Sequence, residues 1–156
     1  MTSHSIFGRR NSKTRSARLS YPKNVLWECT RCAQCCGDVP NHKRQILLLP
    51  FEAYQISQKM NRVVQDFAEP AVESGTYTLK MRKKDNHCLF LNGNRCGIYE
   101  IRPLICRFYP TSLQQDGSNY IFEIAEECPG LGKGKCLDRN YYLSLLKLAQ
   151  TNLGKL

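Results

Sequence analysis

The sequence lacks any long run of apolar residues. Its longest such stretch, ILLLPF at positions 46–51, has only the length of a strand, whereas a membrane-spanning helix needs about 20 consecutive apolar residues. The N-terminal segment MTSHSIFGRRNSKTRSARLS likewise contains no apolar core of a secretory signal peptide. We therefore expect a cytoplasmic protein that does not associate with membranes.

Motifs of the common enzyme classes are also absent. The stretch GLGKGK, at positions 130–135, does not match the phosphate-binding P-loop pattern, and no set of residues suggests a serine hydrolase triad. Histidine is scarce: of His4, His42 and His87, only His87, which precedes Cys88, is a candidate metal ligand or a donor to one. The sequence therefore leaves open whether the protein is an enzyme.

Acidic residues are absent from positions 1–26, which differ in composition from the rest of the chain. This zone is rich in serine and threonine and has no hydrophobic periodicity. We predict a mostly disordered basic arm at 1–26, followed by a cysteine-cluster domain at 27–156. The arm could contact nucleic acid or another polyanion, or act as an organelle transit peptide, but a solvated tail is the simpler interpretation.

Cysteine, by contrast, is abundant. A chain of 156 residues can bury a core without disulfide bonds, and nine cysteines would leave one unpaired. Together with the lack of an export signal, this favours thiolates on a metal over a disulfide framework. The formal charge of +10 treats thiols as neutral, and eight thiolates with two Zn²⁺ ions would reduce it to +6. Four arginines near the cysteines could screen such an anionic site: Arg31, Arg95, Arg102 and Arg107.

The segment WECTRCAQCCGD concentrates four of the cysteines: Cys29, Cys32, Cys35 and Cys36. A C-x2-C step places two sulfurs on one metal, in zinc sites and iron–sulfur sites alike. Because adjacent side chains usually diverge, Cys35 and Cys36 could serve different metals, or one could lie outside the ligand shell. A zinc ribbon would show two separated C-x2-C pairs, whereas only this overlapping set is present.

The next four cysteines are widely spaced: Cys88, Cys96, Cys106 and Cys128. Gly97 follows one of them, and Pro129 and Gly130 follow another, as suits tight loops around a metal. Taken singly, Cys88 and Cys106 could equally be buried apolar residues. In a chain that also carries CxxCxxCC, metal ligation is the better interpretation.

Three segments together identify a resemblance: CTRCAQCC, CLFLNGNRCGIYEIRPLICRFYP and CPGLGKG. They resemble the YkgJ-type cysteine cluster family, a zinc- or iron-chelating domain with the signature CxxCxxCC, over roughly Trp27 to Lys135. A related cluster occurs in flagellin lysine N-methylases. The resemblance implies eight metal-binding cysteines, namely Cys29, Cys32, Cys35, Cys36, Cys88, Cys96, Cys106 and Cys128, and leaves Cys136 outside. The family usually has glycine where this chain has Ala33, which would carry strain if the position needs a positive φ.

These observations favour an iron–sulfur cluster as the cofactor, with zinc ions as the close alternative. The corresponding functions are a redox or enzyme-accessory protein and, alternatively, a zinc-stabilised binding module whose arm recruits a polyanion. A methyl-transfer accessory is a third, weaker hypothesis that rests on the lysine methylases. A protein or redox partner is consistent with the first function, but the sequence does not identify one.

The predicted fold is a small single α+β domain with irregular metal-binding loops, a few short strands and two to three helices. RQILLLP is typical of a strand, and the following helix begins at Pro50 and should direct Phe51, Tyr54, Ile56 and Met60 inward. Apolar residues repeat at helical spacing over positions 63–72, which predicts a second helix that Pro70 should kink or end. Strands are predicted in TYTLKMR and HCLFL, with KKDN as their turn, and in NYIFEIAE. A final helix should be capped by Asp138 and closed by Gly154, with one apolar face.

Overall fold

The computed structural model describes residues 17–72 and 75–154, which form a mixed α+β domain. Its helices are α1 (Pro50–Met60), α2 (Val64–Phe67), α3 (Leu104–Phe108) and α4 (Arg139–Leu153). Its strands are β1 (Leu19–Ser20), β2 (Leu26–Trp27), β3 (Leu47–Leu48), β4 (Ala68–Pro70), β5 (Leu79–Met81), β6 (Lys83–Lys84), β7 (His87–Cys88), β8 (Leu91–Asn92), β9 (Arg95–Cys96), β10 (Thr111–Asp116), β11 (Asn119–Ile124) and β12 (Lys135–Cys136). The α+β class is confirmed, and the helices exceed the expected two to three because α2 and α3 are single short turns.

The strands form several small sheets rather than one large one. The order β1-β11-β10 makes a three-stranded sheet, in which β1 is parallel to β11, and the order β3-β5-β4 makes a second. The remaining pairs are β2 with β12, β6 with β7, and β8 with β9. The β6–β7 hairpin turns at Asp85 and Asn86, both with positive φ, as expected for the KKDN turn.

Two apolar cores hold these elements together. The first is formed by α1, the β3-β5-β4 sheet and the cysteine-bearing loops, and contains Ile46, Leu48, Ala53, Ile56, Phe67, Ala68, Met81, Cys88, Phe90 and Ile98. The second lies under α4 and contains Leu49, Leu104, Phe108, Phe122, Leu137, Tyr142, Leu145 and Ala149. Each core is small, so the contacts between them matter for the shape of the domain.

Helix α1 begins at Pro50 as predicted, but its inward face is different. Phe51 and Tyr54 are exposed, whereas Ala53 and Ile56 are buried together with the carboxylate of Glu52. Glu52 accepts hydrogen bonds from the backbone N–H of Leu49 at 2.8 Å and of Leu104 at 2.6 Å. An acidic side chain therefore faces the interior because it satisfies donors at the start of both α1 and α3.

The helix expected over positions 63–72 is mostly absent. Only Val64–Phe67 is helical, and Ala68–Pro70 continues as strand β4, which pairs antiparallel with β5. Strand β4 lies at the edge of its sheet, where a proline is tolerated because its missing N–H faces away from the ladder. Pairing with β5 thus overrides the helical spacing of the apolar residues.

Residues 17–26, which the composition assigned to the basic arm, pack on the folded domain. Strand β1 pairs with β11, and the ring of Tyr21 stacks on Tyr142 of α4 with 4.6 Å between ring centroids. Positions 1–16 lie outside the described residues. None of the helices in the described ranges has the length and apolar character that crossing a membrane requires.

The final helix agrees with its prediction. The side chain of Asp138 accepts a hydrogen bond from the backbone N–H of Tyr141 at 2.9 Å, and Gly154 follows with φ 79°. Tyr142, Leu145 and Ala149 form its buried face. This helix anchors the second core, to which helix α3, the helix of Cys106, contributes Leu104 and Phe108.

Replacing Glu52 with alanine removes the acceptor shared by α1 and α3. We expect the free energy of unfolding to fall by about 2 kcal/mol, because a buried donor left without a partner costs roughly 1–3 kcal/mol. Urea denaturation followed by circular dichroism measures this change. Glu100→Ala removes an exposed carboxylate and should alter stability by less than about 0.5 kcal/mol. Equal losses in the two variants would contradict the bridging role of Glu52.

Candidate metal centre

All eight candidate cysteines line one cavity of about 650 Å³. They are Cys29, Cys32, Cys35, Cys36, Cys88, Cys96, Cys106 and Cys128. The apolar part of the lining includes Ile46 and Met81 of the first core and Trp27, which packs on the second. Cys136 does not line this cavity and is exposed on β12.

The cysteines come from six separate parts of the chain. Cys29 and Cys32 follow β2, Cys35 and Cys36 lie in a short 3-10 turn (Gln34–Cys36), Cys88 ends β7, Cys96 ends β9, Cys106 lies in α3, and Cys128 lies in the loop after β11. All nine thiols of the chain are free. The sulfurs are thus brought together by tertiary structure and not by disulfide bonds.

Burial divides the eight cysteines into groups. Cys88 belongs to the first core, and Cys36, Cys96 and Cys106 are partly buried against it; we call these four the inner cysteines. Cys29 and Cys32 are exposed at the mouth of the cavity, Cys35 is half-buried, and Cys128 is buried apart from the inner group. The cavity therefore has a sheltered side and an open side.

Two of the inner cysteines, Cys88 and Cys106, resist ionisation in the absence of a cation. Burial raises the pKa of Cys106, and the neighbouring Cys88, Cys35 and Cys96 raise it further. Burial also raises the pKa of Cys88, with Cys96 and Cys35 contributing in the same direction. Because each thiolate opposes the next, several of them can be charged together only if a positive ion is bound.

The adjacent Cys35 and Cys36 lie on the same side of their turn. Their sulfurs are 3.9 Å apart, so these side chains do not diverge. The contact lowers the pKa of Cys35 and raises that of Cys36, because one thiol hydrogen-bonds the other sulfur. In this pair Cys35 is the thiol that ionises first, helped by the charges of Arg44 and Arg102.

The sulfurs line the cavity wall without converging on one point. Within residues 17–72 and 75–154, no three Cys, His, Asp or Glu side chains are grouped as a ready-made ion site. The donor set nevertheless fits zinc or iron, which prefer thiolates. Binding either metal requires the cysteine side chains to turn inward.

Contacts that the sequence did not predict hold the 3-10 turn of Cys35 and Cys36, here called the CC turn, to the β6–β7 hairpin, which carries Cys88. We call these contacts of Gly37 and Asp38 with the hairpin the clamp. Gly37 forms a bridge with His87, and an added Cβ at Gly37 would lie 2.4 Å from Cδ2 of the His87 ring. Asp38 forms an ion pair with Lys83 of β6 and accepts a hydrogen bond from the backbone N–H of Arg44 at 2.9 Å. In the sequence, the glycine directly after CxxCxxCC could have indicated this contact, because a glycine often stands where two backbone segments approach closely.

Neither His42 nor His87 lines the cavity. His87 is exposed, and its Nδ1 lies 2.8 Å from the carbonyl oxygen of Asp85. Its role is to pack on Gly37. His42 lies in a loop, as expected, where its backbone pairs with Val39.

Two of the glycines after Cys128 allow close packing. An added Cβ at Gly130 would lie 2.2 Å from the carbonyl oxygen of Glu28, and one at Gly134 would lie 2.5 Å from the Glu28 side chain. The stretch CPGLGKG therefore wraps closely around strand β2 and the residue that follows it. This contact fixes Cys128 relative to the segment that leads into Cys29.

The four arginines that sequence analysis placed near the cysteines all line the cavity: Arg31, Arg95, Arg102 and Arg107. In the described ranges none of them forms an ion pair with a carboxylate. The guanidinium of Arg102 lies over the exposed ring of Tyr99, 3.9 Å from its centroid. These unpaired cations make the cavity favourable for negative charge, as a thiolate-bound metal would require.

Comparison with known proteins agrees with this geometry. Residues 28–139 match the model of the CxxCxxCC family, described as a "Putative zinc- or iron-chelating domain". The chain belongs to the CxxCxxCC family. It is also 28% identical to an uncharacterized protein of Methanocaldococcus jannaschii, over 82% of this chain and 71% of that protein. No solved structure matches the chain.

Membership of the CxxCxxCC family confirms the resemblance and supports metal chelation. The matched range includes all eight cavity cysteines, and it also includes Cys136, which lies outside the cavity.

Gly37→Ala should weaken metal binding, because the new methyl group collides with His87 and moves the CC turn away from Cys88. We expect less metal per chain in the purified variant, measured by atomic emission spectroscopy. Gly37→Ala/His87→Ala is the matched test, since it removes the ring that the methyl group meets and should restore part of the metal. His87→Ala alone should retain the wild-type content. Full metal content in Gly37→Ala would show that the clamp is unimportant.

Ala33→Gly should stabilise the protein. Ala33 has φ 62°, a left-handed conformation that costs a non-glycine residue about 1 kcal/mol, and this confirms the strain expected there. We predict a gain of about 1 kcal/mol in the free energy of unfolding, measured by urea denaturation. Ala53→Gly, the same change inside the right-handed helix α1, should instead destabilise by about 1 kcal/mol or more. Loss of stability in both variants would refute the explanation.

Proposed function

We propose that this protein carries an iron–sulfur cluster on its cysteine cavity and serves a redox or enzyme-accessory role in a reducing, cytoplasmic environment. The observation that supports this proposal is that eight thiols from six parts of the chain line one cavity of about 650 Å³. Thiolates are the usual ligands of iron–sulfur clusters. Cysteines with a purely structural role would not need to line one common cavity.

The inner cysteines are the best candidates to hold the cluster. They are partly or fully buried against the first core, and burial limits solvent access, which protects a cluster and tunes its potential. Cys35 lies beside them, with its sulfur 3.9 Å from that of Cys36. Cys29, Cys32 and Cys128 would then complete a second site with Cys35, or remain as thiols next to the cluster.

The size and charge of the cavity agree with a group larger than one ion. A single tetrahedral zinc site needs only four ligands, half the number that line this cavity. When bound, the cluster would supply one-electron transfer. The residues of this chain would bind it, shelter it and, through the four cavity arginines, offset its negative charge.

Zinc is the second candidate, and the number of cavity cysteines favours it. Eight thiolates suffice for two closed Cys₄ sites, which stabilise loops and take no part in chemistry. In that case the protein would be a binding module, and its basic N-terminal segment could recruit a polyanion such as nucleic acid. The role of a methyl-transfer accessory has no supporting feature in the described residues.

Metal analysis of protein purified without oxygen separates these two functions. We expect a brown protein that contains iron and acid-labile sulfide in near-equal amounts, with visible absorption from sulfur-to-iron charge transfer. A colourless protein with about two zinc ions per chain and no sulfide would support the binding module instead. Protein that copurifies with neither metal and binds neither on reconstitution would refute both.

Single substitutions test the ligand assignment. Cys106→Ser should lower the metal content sharply, because Cys106 is an inner cysteine, whereas Cys136→Ser should leave it unchanged, because Cys136 is exposed outside the cavity. The metal content per chain is measured after identical reconstitution, and circular dichroism checks that each variant is folded. Equal loss of metal in both variants would show that the eight cysteines are wrongly assigned.

A further inference from the structure

Cys128 differs from the other cavity cysteines because a nitrogen donor of another side chain is directed at its sulfur. The indole Nε1–H of Trp27 donates to Cys128 Sγ at 3.3 Å. Cys128 is also buried, and this hydrogen bond is partly buried. Because the indole N–H of Trp27 donates to this one sulfur among the eight, we infer that Cys128 has a distinct role.

The position of the indole is fixed from both sides. Trp27 pairs with Lys135 in the β2–β12 ladder and forms a bridge with Leu131. Gly130 passes so close that an added Cβ would lie 3.0 Å from the indole nitrogen. The loop that carries Cys128 therefore folds back on Trp27 and holds the N–H against the sulfur.

Tyr109 carries a second hydrogen-bond donor in the same cavity. It lines the cavity with Cys128, and its buried hydroxyl has no hydrogen-bond partner among the described residues. The guanidinium of Arg44 lies over the Tyr109 ring, 4.4 Å from the ring centroid.

We propose that Trp27, assisted by Tyr109, donates a hydrogen bond to the metal-bound thiolate of Cys128 and makes Cys128 a weaker electron donor to the metal than the other cysteines. This inference rests on the proposed metal binding. A hydrogen bond to a thiolate is stronger than one to a neutral thiol. It withdraws charge from the sulfur, which is one of the ways in which proteins tune metal sites and cluster potentials.

Trp27 is the single tryptophan of the chain, so intrinsic fluorescence gives a direct measure of this contact. When the thiol of Cys128 becomes a metal-bound thiolate, the indole N–H donates to a charged sulfur instead of a neutral one. Its emission should therefore change as metal binds. Zn²⁺ is the suitable probe, because it neither absorbs visible light nor quenches by unpaired electrons.

The principal test compares wild type with Trp27→Phe after anaerobic reconstitution with Co²⁺, whose thiolate charge-transfer band reports on sulfur donation. We expect the two proteins to bind the same amount of Co²⁺. The band of Trp27→Phe should shift to longer wavelength, because the sulfur is then a better donor. Tyr109→Phe should shift it in the same direction. Tyr99→Phe, which alters an exposed tyrosine of the same cavity, is the control and should leave the band in place.

Equal Co²⁺ content with an unshifted band in Trp27→Phe would overturn the inference. If Trp27→Phe does not fold, the Zn²⁺ titration of wild type decides: emission that stays constant to saturation would overturn it, and so would an unchanged response in Cys128→Ser. A wild type that shows no thiolate-to-Co²⁺ band at all would refute the metal proposal itself, which is a different outcome.

Discussion

Mutual repulsion among thiolates is the constraint on which this structure depends. Eight cysteines line one cavity, and both burial and neighbouring sulfurs raise the pKa of Cys88 and Cys106. A bound cation removes that penalty, so the energetics of the cysteine loops and of metal binding are coupled. The cavity arginines, which form no ion pair with a carboxylate in the described ranges, also favour charged thiolates. They line the cavity and do not replace a metal.

The secondary-structure elements around the cavity are short, and specific contacts hold them in place. Strands of two or three residues give little stability by themselves, and the two cores are small. Buried and partly buried polar contacts then fix the cysteine-bearing segments: Glu52 joins the starts of α1 and α3, and the ion pair of Asp38 with Lys83 joins the CC turn to the β6–β7 hairpin. Loops and the 3-10 turn carry five of the eight cavity sulfurs, two-residue strands carry two, and helix α3 carries one.

The cavity is chemically asymmetric, which gives its cysteines different properties. Cys29 and Cys32 are exposed, the inner cysteines pack on an apolar core, and Cys128 has the indole of Trp27 as its partner. Such differences in burial and hydrogen bonding set the properties of individual ligands in metal sites. The CxxCxxCC signature describes which cysteines are present, whereas these surroundings determine how each sulfur behaves.

The sequence by itself determined the local and compositional features of this protein. The spacing of CxxCxxCC, the capping residue Asp138 and the proline at the start of α1 act over a few residues, so their consequences were predictable. Ala33 was recognised as strained because the family prefers glycine there, and its φ is 62°. Only the tertiary structure decided that Phe51 and Tyr54 face outward, that the segment after Phe67 becomes strand β4, and that Gly37 packs on His87. Each of these depends on contacts between residues far apart in the chain, and local patterns do not encode such contacts.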